Sequence, residues 1–120
     1  MAKTAKSSKA KGRRLQDFVR DRLRNLFTEL EEDDIKVAIM GESGEDIKLS
    51  PAARKVIPYS FECKNQERLN IWSSLEQAEE NSNNRTPLLV FKRNRSKTYV
   101  AIDIDSFLTL IKEENNAKRI

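Results

Sequence analysis

Apolar positions along the chain fall into two periods, and these divide it into elements. Leu15, Phe18, Val19, Leu23, Leu26 and Phe27 recur at three- and four-residue steps, so an amphipathic helix is expected over residues 12–28. An acidic break over residues 29–34 follows. Ile35, Val37 and Ile39 then alternate with Lys36 and Ala38, which predicts a strand. Residues 40–46 read as a loop, with two glycines that permit backbone conformations other residues avoid. Ser50-Pro51 has the form of a helix start, serine capping and proline at the first helical position, and predicts a short turn of helix over residues 51–55.

A second alternation, over residues 59–64, puts Tyr59, Phe61 and Cys63 on one face of a strand and Ser60, Glu62 and Lys64 on the other. Leu69, Trp72, Leu75 and Ala78 or Glu79 make a stripe along a helix over residues 70–81, with Trp72 expected in the core or in a dimer interface. Residues 87–91 are almost continuously apolar and read as a buried strand. The tip Lys92-Arg93-Asn94-Arg95-Ser96-Lys97 turns it into another strand over residues 98–102, and Ile104, Phe107, Leu108 and Ile111 return to helical spacing. The order α-β-β-α-β-β-α predicts an α/β fold, a mixed central sheet flanked by helices. Length allows one domain, residues 12–113, with a disordered basic arm before it (1–11) and a fraying tail after it (114–120).

Charge changes this picture at one end. Residues 1–24 carry nine Lys or Arg against two Asp, a balance of +7 that leaves −3 for the rest of a chain whose net charge is +4. A basic arm on a mildly acidic body suits a polyanion, and nucleic acid is the commonest. Residue types narrow the chemistry further. With no histidine and the single cysteine Cys63, an internal disulfide, a Cys/His zinc site and a histidine triad are all excluded within one chain. Cys63 itself reads as a small buried apolar residue. No apolar run approaches the roughly 20 residues of a membrane span, and residues 1–11 lack the apolar core of a secretory signal, so no membrane partner is expected.

Acid–base or metal chemistry must therefore come from carboxylates, lysine and water. Acid-x-Lys occurs three times, as Asp34-Ile35-Lys36, Asp46-Ile47-Lys48 and Glu62-Cys63-Lys64. Context separates them. Glu62 and Lys64 project from one face of what should be a central strand, whereas Asp34 stands at a strand entrance among other acids. Asp46 follows the glycine loop and can reach the same end of the sheet. Two converging carboxylates beside a lysine make a hard oxygen site for Mg²⁺, or Mn²⁺ in its place, with the lysine near an attacking water.

Gly41-Glu42-Ser43-Gly44-Glu45-Asp46, then Glu62-Cys63-Lys64, then a helix bearing Gln77, resemble the PD-(D/E)XK nuclease superfamily. More narrowly, with Lys11-Gly12-Arg13-Arg14 opening the first helix, the chain is similar to archaeal-type Holliday-junction resolvases and their small phage-encoded relatives. The similarity runs from Lys11 to about Leu110 and includes residues 49–55, 62–67 and 91–97. The resemblance implies a restriction-endonuclease-like core, Asp46 and Glu62 as metal ligands, Lys64 as the catalytic lysine, and Gln77 as a support for the site or a contact to the scissile phosphate. It also implies a homodimer and a cytoplasmic setting in a bacterial or phage-infected cell. One position departs: where the resolvases carry a first-helix glutamate, this chain has Gln16, and Glu42 or Glu45 can substitute for it.

The basic residues then acquire roles as phosphate contacts: Lys3, Lys6, Lys9, Lys11, Arg13 and Arg14 on the arm, and Lys92, Arg93, Arg95 and Lys97 on the tip, with Arg54 and Lys55 on the same surface. The expected function is a metal-dependent endonuclease selective for branched DNA. Two alternatives stand beside it, a sequence-reading or nicking enzyme of the same superfamily and a non-catalytic nucleic-acid-binding protein.

Overall fold

The computed structural model describes residues 5–39 and 41–119, with backbone only for Ala5 and Lys6. Residues 1–4, Met40 and Ile120, and with them the expected contact at Lys3, lie outside the described residues. Helix α1 (Ala5–Leu26) leads to a 3-10 turn (Glu32–Asp34) and an antiparallel hairpin, β1 (Ile35–Val37) with β2 (Ile47–Leu49). Then come α2 (Pro51–Val56), β3 (Tyr59–Asn65), α3 (Ile71–Glu80), β4 (Thr86–Lys92), β5 (Tyr99–Ala101) and α4 (Ile104–Lys118).

Strands β3 and β4 pair in parallel, as a crossover through α3 demands, and β4 pairs antiparallel with β5. The result is the expected mixed sheet flanked by helices, consistent with a restriction-endonuclease-like fold. One refinement concerns the strand bearing Glu62. The ladder order is β3-β4-β5, so β4 is central. On its other side β3 meets the end of the hairpin through one backbone–backbone bond among the described residues, Asp46 N–H to the Phe61 carbonyl at 3.2 Å.

The core lies between α1, the hairpin and one face of the sheet. Leu15 and Val19 of α1 are buried with Ile35, Ile47 and Leu49, with Ala53 and Ile57, and with Phe61, Cys63 and Val90 from the sheet. The alternation in β3 thus aims Phe61 and Cys63 into this core, and burial pushes the Cys63 thiol well up from its ordinary value. Arg24 fixes the far end of α1 by donating to the carbonyls of Ile35 and Glu32. Ser50 caps α2 as expected, its Oγ accepting from Ala53 N–H at 3.1 Å. Asn70 caps α3 in the same way.

Two helix boundaries and one burial differ from the sequence reading. Helix α1 starts at Ala5 rather than near Gly12, because an Ala/Lys/Ser run is compatible with helix once its end is docked. The docking is visible at Lys11, which is only 6% exposed and whose carbonyl accepts from Asn65 Nδ2 at 3.2 Å. Helix α4 continues to Lys118 instead of fraying near residue 113. On α3 the buried residues are Ser74 and Ala78, and Trp72 stands 77% exposed, which removes the core from the two places expected for it and leaves the dimer interface.

Candidate active site

The site is assembled where the hairpin touches β3. Asp46 is held by three bonds: its carbonyl accepts from Ala38 N–H at 2.8 Å, its N–H donates to the Phe61 carbonyl, and its Oδ2 accepts from Cys63 N–H at 2.7 Å. These contacts bracket Glu62, so the Asp46 carboxylate is pinned beside the Glu62 side chain. The glycine loop makes this possible. Gly41 and Gly44 hold φ of 86° and 99°, in a region that side chains rarely adopt.

Glu62 is 3% exposed. Its Oε1 accepts from Asn81 Nδ2 at 3.3 Å, and its Oε2 lies 3.7 Å from Lys64 Nζ, two residues along the same face. Burial pushes the Glu62 carboxyl up to about 7, the negative charge of Asp46 adding to the rise and Asn81 and Lys64 opposing it. Burial also raises Asp46, against the pull of the Cys63 N–H and of Lys64. The two buried acids thus stand side by side, and the ammoniums of Lys64 and, toward Asp46, of Lys48 only partly offset the cost of charging them.

That imbalance is the observation against which a cation is judged. Two hard carboxylates that resist ionising together fit Asp46 and Glu62 as ligands of a divalent ion of the Mg²⁺ type, which binds through one or two carboxylates and keeps several waters. Among the described residues no cluster supplies three or more acidic, Cys or His ligands. The remaining positions would fall to water and to neutral oxygens.

The three first-helix substitutes are now separated by position. Gln16 and Glu42 share with Asp46 a cleft of about 210 Å³, walled by Lys9, Gly12 and Arg13 of α1. Glu42 is engaged there, its Oε1 accepting from Ile39 N–H and facing Lys48 Nζ at 3.7 Å. Glu45 points elsewhere, buried in an ion pair with Arg85 and accepting from Asn83 Nδ2 at 3.1 Å. A second cleft, of about 290 Å³, joins Lys11 and Gly12 to Lys64 and Asn65. Helix α1 therefore crosses the site at Gly12, with Lys64 on one side and Asp46 on the other.

The other two acid-x-Lys matches have structural work. Asp34 Oδ1 accepts from Ser50 Oγ at 2.6 Å and its Oδ2 from Glu31 N–H, which lowers its carboxyl below the usual range. Lys48 serves the glycine loop through Glu42 and the Ser43 carbonyl.

Gln77 is exposed on α3, and the side chain of α3's end that touches Glu62 belongs to Asn81, one turn further on. Sequence reasoning missed Asn81. The available signal was the spacing: residues four apart share a helix face.

The basic tip is placed by register. Asn65 pairs with Lys92, so the turn carrying Arg93, Arg95 and Lys97 begins where β3 ends, just past Lys64. Arg93, Arg95 and Lys97 are exposed, Lys92 is half-buried, and Asn94 N–H donates to Glu67 Oε2, tying the tip to the β3–α3 loop. From α1, Arg13 and Arg14 are exposed, while Lys11 is built into the cleft wall. Arg54 and Lys55 are exposed on α2.

No curated protein and no solved structure matches the chain. A family model does: residues 7–120 match the family described as Phage putative PDDEXK endonuclease, so nearly the whole chain, including the arm helix and α4, is accounted for by one family. Nucleases of the PD-(D/E)XK group generally use divalent metal ions and act on DNA, in accord with the paired acids, the lysine and the basic rim. The chain belongs to this phage PDDEXK endonuclease family.

Proposed function

We propose that this protein is a Mg²⁺-dependent endodeoxyribonuclease, with Mn²⁺ able to substitute, that cuts branched DNA in the manner of a Holliday-junction resolvase and works as a homodimer in the cytoplasm of a bacterial or phage-infected cell. The observation that carries the reading is the convergence of Asp46 and Glu62, both raised, with Lys64 at 3.7 Å from Glu62. A bound divalent cation would neutralise phosphate charge and favour ionisation of water. Asp46 and Glu62 hold it, Asp46 fixed by Cys63 N–H and Glu62 by Asn81. The Lys64 ammonium stabilises negative charge developing on the phosphate as the bond breaks. Gln77, exposed one turn before Asn81, contacts the scissile phosphate. Lys92, Arg93, Arg95 and Lys97, together with Arg13 and Arg14, hold the flanking strands, and Lys11 lines the cleft beside Lys64.

A branched substrate is favoured over a base-reading one by the similarity of residues 11–110 to the junction resolvases. A non-catalytic reading would rest on Gln16, a neutral amide where the resolvases carry an acid. One assay decides among these. The protein is incubated with four-way junction, linear duplex and single-stranded DNA in Mg²⁺, Mn²⁺ or EDTA. The junction should be cut with either metal and not in EDTA. Lys64→Ala and Glu62→Ala should each lower cleavage by at least ~10²-fold while leaving junction affinity within a few-fold. Cutting of no substrate with either metal would remove the enzymatic reading, and sequence-dependent cutting of duplex would replace the junction with a base-specific target.

A further inference from the structure

Helix α4 is packed inside out. Ser106, Thr109, Leu110 and Glu113 border the groove that separates it from Pro58, Tyr59 and Thr86 of the body, and Glu113 is near enough to help raise the Tyr59 hydroxyl. Ile104, Phe107, Leu108 and Ile111 are 46–64% exposed, and α4 buries no residue at all. At 100° per residue the centres of these two sets lie about 160° apart around the helix. A mostly polar face thus meets the protein, and an apolar stripe at i, i+3, i+4 and i+7 meets solvent. That is the reverse of a helix serving its own core.

We propose that this stripe is the interface with a second copy of the chain, two α4 helices packing antiparallel about a two-fold axis. The proposal names the surface through which the homodimer above would form. The spacing of the stripe is self-complementary: with the axis between Phe107 and Leu108, Ile104 of each copy faces Ile111 of the other. Charge supports the same arrangement. Asp105 and Lys112 flank the stripe on one side, at about 100° and 80° from Ile104, and neither has an ion-pair partner among the described residues. Antiparallel pairing brings Asp105 of each copy to Lys112 of the other, twice by symmetry.

The stripe supplies the apolar centre of the contact, and the polar flanks of α4 must supply the rest of its area. Four half-exposed apolar side chains offer on the order of 400 Å² per copy, about half of the ~800 Å² that a standard interface buries per partner. The contact also leaves the site open. Helix α4 borders the start of β3 and β4, at Tyr59 and Thr86, whereas Lys64 and the tip lie at their other end.

The test is the mass of the purified full chain by sedimentation, with circular dichroism to check folding. The wild type should sediment at twice 13.9 kDa. Ile104→Lys and Ile111→Glu should each weaken self-association at least ~100-fold, and an equimolar mixture of the two should recover a dimer, because lysine then faces glutamate. A wild type that remains monomeric to about 100 µM, a dimer insensitive to both substitutions, or a mixture that stays monomeric would overturn the interface. Lys64→Ala should remain a dimer. A wild type that cuts the junction as a monomer would reject this surface alone, and a wild-type dimer that cuts nothing would reject the nuclease reading alone.

Discussion

At the scale of single residues, the protonation of Glu62 links stability to pH. Its carboxyl has an ordinary value of 4.5 and stands at about 7 in the folded protein, chiefly through burial and secondly through Asp46. Between those values the folded state binds more protons than the unfolded one, so stability must fall as pH rises through the window. The difference amounts to on the order of 3 kcal/mol for this one group, and Asp46 moves in the same direction. Asp34 and Asp103 are lowered instead, by Ser50 and Ser106, so their contribution is lost only in more acidic solution. In EDTA the melting temperature should therefore drop by on the order of 10 °C from pH 5 to pH 8, and Glu62→Gln should flatten the trend. A divalent cation should reverse it, since the ion binds the ionised pair. A wild-type profile that rises across this window in EDTA would show that the two acids are not held in this closed pair.

At the scale of elements, the loop delivering Asp46 is clamped to the loop that leaves α3. Glu45 adjoins Asp46 and is buried against Arg85, and Asn83 supplies a second donor from a left-handed position at φ 51°. Asn81, two residues before Asn83, reaches Glu62. Both acids of the site thus depend on residues 81–85. Arg85→Ala leaves a buried carboxylate without its cation and should cost roughly 3–5 kcal/mol in urea unfolding, whereas Glu45→Gln combined with Arg85→Met should cost far less. Near-equal losses would mean that the ion pair is not what joins the loops. None of this was legible in the sequence, because Glu45 and Arg85 are forty residues apart and neither sits in a periodic pattern. Glu62 and Lys64 were legible, since the apolar alternation of β3 sets their face whatever the tertiary contacts. Asp46 was legible through the glycines before it. Helix starts show the same division: Ser50-Pro51 announces α2 locally, while residues 5–11 are helical in company with a contact from Asn65, 54 residues on from Lys11. Trp72 is not in the core because a stripe identifies a helix better than it identifies the face that the chain itself covers.

At the scale of the whole molecule, the charge asymmetry read along the chain becomes an arrangement in space. The basic α1 end and the basic β4–β5 tip approach β3 from different elements and meet at its Lys64 end, through Lys11 with Asn65 and through Lys92 with Asn65. The acidic remainder holds Asp46 and Glu62 between them. Under the proposed function, such a layout would draw a polyanion to the place where the two acids would hold a cation, and it would separate affinity from chemistry. If the tip contacts phosphates, each cation removed should lower the magnitude of the slope of log K against log salt by ~0.9. Arg93→Ala with Arg95→Ala should therefore reduce it by roughly 2, weakening junction and duplex binding alike at low salt and leaving sequence preference unchanged. Both side chains are exposed, so the melting temperature should barely move. Lys11→Ala is the contrasting case, because Lys11 is 6% exposed and walls the cleft beside Lys64. It should cost stability or cleavage out of proportion to one phosphate contact. A salt slope unchanged by the double substitution would place DNA away from the tip, on the Arg13–Arg14 face or on the Arg54–Lys55 turn.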